Sequence, residues 1–142
     1  MADKILLALS TFPDRETARR ISNQLVTERF TACANILPAI ESIYRWKEKI
    51  ESGAETLVLF KLSEDRQTAF QEKLRTLHPY EVPEIIFLPV TSALPEYLRW
   101  VVENCSATCP VKPVKLQPLR DACVYRPDKL QRRLRCRSRL RQ

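Results

Sequence analysis

His78-Pro79-Tyr80-Glu81-Val82-Pro83-Glu84-Ile85-Ile86-Phe87-Leu88-Pro89 is the stretch that decides how this chain folds. It joins an amphipathic helical segment to an apolar strand and carries the only histidine in the sequence. A proline has no amide donor and drives the residue before it toward extended geometry. Pro79 therefore stops the helix near His78, and Pro83 delays the strand until after it. Between the two prolines lies a stiff polar corner. Such a corner either positions Tyr80 and Glu81 for binding or serves only to connect helix to strand, and the residues alone leave both readings open.

On the N-terminal side of the corner, Ser63 is a good N-cap with Glu64 and Asp65 in the turn behind it. Ala69, Phe70, Lys73, Leu74 and Leu77 then recur on one face of a helix that runs to about His78. Before that helix, Thr56 to Leu62 reads as a strand, and Lys47 to Glu55, polar and containing Gly53, reads as the hairpin turn leading into it. The partner is a long strand from Thr31 to Trp46, which Pro38 interrupts with an edge or bulge signal. Two strands so joined are antiparallel neighbours. Further back, residues 4 to 10 form a short apolar run ended by Thr11-Phe12-Pro13, a buried strand. Asp14 to Arg29 follows as a helix with Ala18, Ile21 and Leu25 on one face.

On the C-terminal side, Glu84 to Leu88 is a strand stopped by Pro89, and Leu94 to Val102 a third helix with Pro95 tolerated in its first turn. Two successive strand-helix-strand units give an α+β, ferredoxin-like (βαβ-βαβ) antiparallel sheet with helices on one face, plus a terminal helix. The other face of that sheet stays uncovered. Its strands are apolar on both sides, as in Ile5-Leu6-Leu7 and Leu57-Val58-Leu59-Phe60, so a sheet-mediated oligomer is expected.

The chain's 142 residues suit one domain, 1 to 104, and an appendage, 105 to 142. After residue 104 there are eleven Lys or Arg against Asp121 and Asp128, so the formal charge of +7 belongs to the tail and the rest is slightly acidic. Pro110, Pro113, Pro118 and Pro127 break any long helix there, and a mostly disordered segment is expected. Alternating Arg133, Arg135, Arg137, Arg139 and Arg141 would attract a nucleic acid or another polyanion without specificity, or would simply be a solvated tail. The single glycine excludes Gly-rich phosphate loops and the dinucleotide fingerprint. No apolar run approaches the roughly 20 residues needed to span a bilayer, and the N-terminus has no secretory pattern, so no membrane insertion and a cytoplasmic location are expected.

Five cysteines do not tile into a disulfide scaffold. Cys105, Cys109, Cys123 and Cys136 are spaced too loosely for a zinc ribbon, and His78 with Cys33 falls short of a closed four-ligand site. Glu81, Glu84 or a residue of another subunit could complete an open site. Glu55 and Lys61 flank a strand and read as charges guarding a sheet edge. Tyr44, Trp46 and Tyr80 each join an apolar ring to a polar handle, suited equally to a subunit junction and to a pocket wall. One histidine in a corner assembles no Ser-His-Asp or Cys-His arrangement, so an enzyme is not expected.

Several words of the sequence fit together at this point: Ser10-Thr11-Phe12-Pro13, Ala32-Cys33-Ala34-Asn35-Ile36-Leu37-Pro38, Ser42-Ile43-Tyr44-Arg45-Trp46, Glu55 through Lys61, the His78 to Ile85 word, and Tyr97-Leu98-Arg99-Trp100. In this order they resemble the CutA divalent-cation tolerance proteins, from Ile5 to about Glu103. The resemblance implies a homotrimer of ferredoxin-like subunits with sheets facing inward, and tolerance to copper or another divalent cation. It also implies clefts between subunits, where Tyr44, Trp46, Lys61, His78, Tyr80 and Glu81 would admit a cation or a small ligand. By position, His78 matches the histidine linked to metal, with Cys33 the weaker alternative. Members implicated in metal binding have a cysteine where Ser10 stands and a second histidine where Leu77 stands, so two soft ligands are missing. In the Trp-x-Gly-Lys region, where a glycine is usual, this chain has Lys47. A small-ligand-sensing regulatory trimer of PII-like type is the alternative that the same resemblance allows.

Overall fold

The computed structural model describes residues 4–106; Cys109, Cys123, Cys136 and the basic tail, with the expectations stated for them, lie outside the described residues. In chain order the elements are β1 (Ile5–Phe12), α1 (Arg15–Thr27), β2 (Cys33–Trp46), β3 (Lys49–Ser63), a 3-10 turn (Glu64–Arg66), α2 (Gln67–Leu77), β4 (Ile86–Pro89) and α3 (Pro95–Cys105). The four strands make one antiparallel sheet in the order β2-β3-β1-β4. This is the ferredoxin-like arrangement expected from the pattern.

Alternation along the strands builds the core. Leu6, Ala8, Phe12, Val58, Phe60 and Leu62 are buried, and with Ala18, Ile21 and Leu25 of α1 and Phe70 and Leu74 of α2 they form one cluster. α1 starts cleanly because Asp14 accepts from the Thr17 amide at 2.7 Å and from the Thr17 hydroxyl at 2.9 Å. Those bonds hold the Asp14 carboxyl below its ordinary range. The intervening strand positions face the other way: Leu7, Leu9, Leu57 and Leu59 are only part-buried, and Leu37, Ile86 and Leu88 are exposed. α3 closes one end of that second face, with Val101 and Cys105 buried and the Cys105 thiol beside Ser63 and Ala32. Cys105 thus ends a helix of the fold.

The structure corrects three expectations. Lys47 to Glu55 is not a loop: only Lys47 and Glu48 turn, and β3 runs from Lys49, pairing with β2 as far as Trp46↔Lys49. Polar side chains hid this strand because a two-stranded ribbon without a buried face shows no apolar alternation. Ser63 makes no side-chain cap; a 3-10 turn intervenes and α2 begins at Gln67. Lys61 guards no edge, since β3 is bonded on both sides.

At Pro38 the sequence signal is realised as a bulge. Leu37 pairs with Leu57 and Ile40 with Glu55, so Pro38 and Ala39 together oppose Thr56, and Ala39 takes φ 61°. β2 is an outer strand, where a missing donor is tolerated. Thr56 is also the last β3 residue paired with β1. Beyond the bulge the sheet therefore narrows to a two-stranded ribbon. The extra residue reverses the alternation of β2, which puts Ser42, Tyr44 and Trp46 on the side that continues the open face. At the tip, Lys47 and Glu48 have φ 45° and 65°, the pattern of a type I′ turn built without glycine. Counted between Trp46 and Lys49, the glycine position is Glu48 and not Lys47.

Candidate functional site

A cleft of about 750 Å³ opens where the ribbon leaves the sheet. Its walls are Ser42, Tyr44 and Trp46 of β2, Glu51 and Glu55 of β3, Thr11 at the end of β1, and Pro79, Tyr80, Glu81, Val82 and Glu84 of the corner. Four of the six residues singled out from sequence, Tyr44, Trp46, Tyr80 and Glu81, meet here. Lys61 and His78 are not in the lining.

His78 lies behind the wall and is 8% exposed. Its ring stacks on Phe12 at 4.7 Å between centroids. Nε2 lies 2.9 Å from the Thr11 carbonyl oxygen, and Nδ1 accepts from the Tyr80 amide at 3.1 Å. A carbonyl can only accept and an amide N–H can only donate, so the imidazole is the neutral form with its proton on Nε2. Burial lowers its pKa, against the opposing pull of the Thr11 bond and the Glu55 charge. Tyr80, one turn of chain further, donates its hydroxyl to Glu55 Oε1 at 2.7 Å. Burial and then that bond raise the phenol's pKa well above its ordinary value. Thr11, His78, Tyr80 and Glu55 thus form a continuous hydrogen-bonded wall from β1 through the corner to β3.

Lys61 sits toward the other end of β3, where Nζ approaches Cys33 Sγ at 3.9 Å. Thr31 fixes this end by donating its hydroxyl to the Lys61 carbonyl at 2.6 Å. Tyr97 of α3 lies beside Cys33, and burial together with that thiol raises its phenol pKa. Ser10 is fully buried on the helix-covered face, the opposite side from Thr11, and its hydroxyl has no hydrogen-bond partner among the described residues. A cysteine at that position would point into the core.

The pattern of signals explains what sequence reasoning missed. Glu51, Arg45 and Ser42 line the cleft only because the ribbon extends to the tip, and Glu55 reads as an edge charge in sequence because the pattern starts β3 at Thr56, seven residues after its actual start at Lys49. Tyr80 to Glu55 is a contact between segments 25 residues apart, which no local periodicity can show.

A model of the CutA1 divalent ion tolerance protein family matches residues 6–104. The chain belongs to this family. Among relatives, it is similar to the divalent-cation tolerance protein CutA of Thermus thermophilus, with 43% identity over 98 residues, 69% of this chain and 95% of that protein. It is also similar to protein CutA of Mus musculus, with 44% identity over 94 residues, 66% of this chain and 53% of that protein, of which it spans about half. The crystal structure of the divalent ion tolerance protein CutA1 from Ehrlichia chaffeensis superposes with a TM-score of 0.71 at 33% identity, covering 75% of this chain and 99% of that one.

A CutA1 family member raises the question of a cation, and the donors of one protomer answer it only in part. Among the described residues, no three His, Cys, Asp or Glu side chains converge as a metal group would require. Both ring nitrogens of His78 are already engaged, and Cys33 is turned toward an ammonium group. What the cleft does offer is oxygen: the carboxylates of Glu51, Glu55, Glu81 and Glu84 and the hydroxyls of Thr11, Ser42 and Tyr44, with Arg45 the only cation in the lining. Among the described residues no helix is long and apolar enough to cross a membrane.

Proposed function

We propose that this chain is a homotrimeric divalent-cation tolerance protein of the cytoplasm, a binding protein and not an enzyme. Its cleft at the foot of the ribbon takes up a divalent cation or small ligand once a neighbouring subunit completes it. The observation that carries this reading is the lining of the cleft, four carboxylates against one guanidinium between aromatic walls. Carboxylate and hydroxyl oxygens suit hard and borderline divalent ions, whereas copper(I) prefers thiolate and thioether donors. Copper(II), zinc and manganese are therefore the ions to try first.

Assembly is supported by what one protomer leaves bare. On the ribbon, Ile43 is 70% and Ile50 64% exposed, and the open face adds Leu37, Ile86 and Leu88. Ile43 and Ile50 lie on the ribbon face opposite Tyr44 and Trp46, so the protomer bears bare apolar side chains on both sides, and a β-ribbon without a covered face is marginal alone. Packing ribbons and open faces of three copies together would cover both. The names of the relatives, as divalent-cation tolerance proteins, agree with the cation. A small-ligand-sensing trimer remains the second reading, favoured by Tyr44 and Trp46 as ring-bearing walls. The folded unit runs through Cys105, the last residue of α3, and not to residue 104; residues 107–142 are proposed as a separate appendage with no part in the cleft.

The test is calorimetric titration of the intact chain with Cu2+, Zn2+ and Mn2+, repeated on the double variant Glu55→Gln, Glu81→Gln and on a chain ended at Ser106, which keeps the buried Cys105 at the end of α3. Binding near one ion per subunit that survives truncation and falls at least tenfold in the double variant supports the cleft. Equal affinity in the double variant would place the ion elsewhere.

A further inference from the structure

We propose that His78 is a positioning latch, fixed in one neutral tautomer, that holds the Tyr80–Glu55 wall of the cleft in place and is not itself a metal ligand. The inference rests on geometry. An imidazole has two nitrogens, and a metal needs the lone pair of one of them. Here Nδ1 spends its lone pair on the Tyr80 amide at 3.1 Å, and Nε2 carries the proton that it donates to the Thr11 carbonyl at 2.9 Å. The ring is also stacked on Phe12 and 8% exposed, so it cannot swing out without uncovering a core phenylalanine.

Each bond does a separate task. The Nε2 bond ties the end of α2 to the last residues of β1. The Nδ1 bond fixes the backbone of Tyr80 immediately after Pro79, and the same residue's hydroxyl then reaches Glu55 on β3 at 2.7 Å. A metal on either nitrogen would break one of these bonds and leave a part-buried carbonyl or amide without that partner. The cation proposed for the cleft would then be held through oxygen, with His78 behind the wall. That second statement rests on the cleft reading; the latch does not.

Because the chain contains one histidine, its ring gives one pair of nitrogen signals. The experiment is a long-range proton–nitrogen correlation spectrum of the tag-free, 15N-histidine-labelled full chain at pH 7, before and after saturating Zn2+. The latch predicts one protonated Nε2 and one unprotonated Nδ1, both unmoved by zinc. Averaged signals from exchanging tautomers, or a move of either nitrogen by tens of ppm on adding zinc, would overturn it. A second arm compares Tyr80 Cζ shifts in His78→Asn, whose carbonyl can still accept from the Tyr80 amide, and in His78→Phe. The Asn variant should keep the shift of the native Tyr80 and the Phe variant should lose it; a native shift in both variants would also overturn the latch. If calorimetry detects no zinc binding while the spectrum shows the single tautomer and the Tyr80 shifts behave as stated, the cleft reading fails and the latch stands.

Discussion

The root and the tip of the β2–β3 hairpin are made by the same two strands, yet they are different kinds of structure. At the root, residues 33–37 and 57–63 are flanked by β1 and roofed by α1 and α2, and Val58, Phe60 and Leu62 have no exposure. At the tip, residues 40–46 and 49–55 pair only with each other, and Ile43 and Ile50 stand in solvent. The change occurs at the Pro38–Ala39 bulge, where β1 ends. One protomer therefore buries the helix-covered face of the root by itself, whereas the tip has no covered face within the protomer. The cleft lies where the two meet, with one wall from the tip ribbon and the other from Thr11 of β1 and the corner 79–84.

The contrast breaks most severely at the root. Phe60→Ala removes a fully buried ring that packs edge-on against Phe70 at 5.2 Å, and should cost about 3–5 kcal/mol in urea unfolding. Ile43→Ala at the tip should instead leave the fold intact and weaken association, seen as a midpoint that becomes more dependent on protein concentration.

His78 joins the two regions, and His78→Phe keeps the stack on Phe12 while stranding the Thr11 carbonyl and the Tyr80 amide. A loss of about 1–3 kcal/mol is expected in the same assay. The pH dependence follows from the sign of its shift. The ring's folded pKa lies below the ordinary 6.5, so the unfolded chain binds the proton more readily. The stability held by neutral His78 is complete above about pH 6.5 and declines as pH falls from there toward the folded pKa. Glu55 and the Thr11 carbonyl oppose the shift and burial dominates it. Unfolding curves from pH 8 to 5 should show this slope in the native chain and lose that component in His78→Phe.

Smaller changes sharpen the comparison in the opposite direction. Glu48→Gly relieves a left-handed side-chain residue in the tip turn, and should stabilise by about 1 kcal/mol, seen as a higher melting temperature. Ser10→Ala removes a buried hydroxyl that lacks a partner from the root core. It should be neutral to stabilising by up to about 1 kcal/mol, whereas a large loss would mean that the hydroxyl has a role in packing.

Most of the root was legible in the sequence because burial leaves a period. The alternation of β1 and β3, the stripes of α1 and α2, and the prolines around the corner each report a local rule, and the sheet order follows from two βαβ units. The tip was legible only in part. Pro38 announced the bulge, but Lys49 to Glu55 read as a loop, since a ribbon with no buried face in the protomer shows no apolar alternation. The cleft was half legible for the same reason. Tyr44, Trp46, Tyr80 and Glu81 stood out as aromatic or acidic residues beside turns, whereas the Tyr80–Glu55 bond and the engagement of both His78 nitrogens are tertiary. Lys61 was grouped with them by resemblance, and the register sets it instead against Cys33.

The most direct test is the mass of the intact chain in solution, measured by light scattering at micromolar concentration. An unfinished tip and an open sheet face predict a homotrimer, with a mass close to three times the chain's 16.6 kDa, that persists on dilution. A well-folded species of 16.6 kDa would contradict it, because one protomer would then be carrying the exposed ribbon and half-walled cleft unaided.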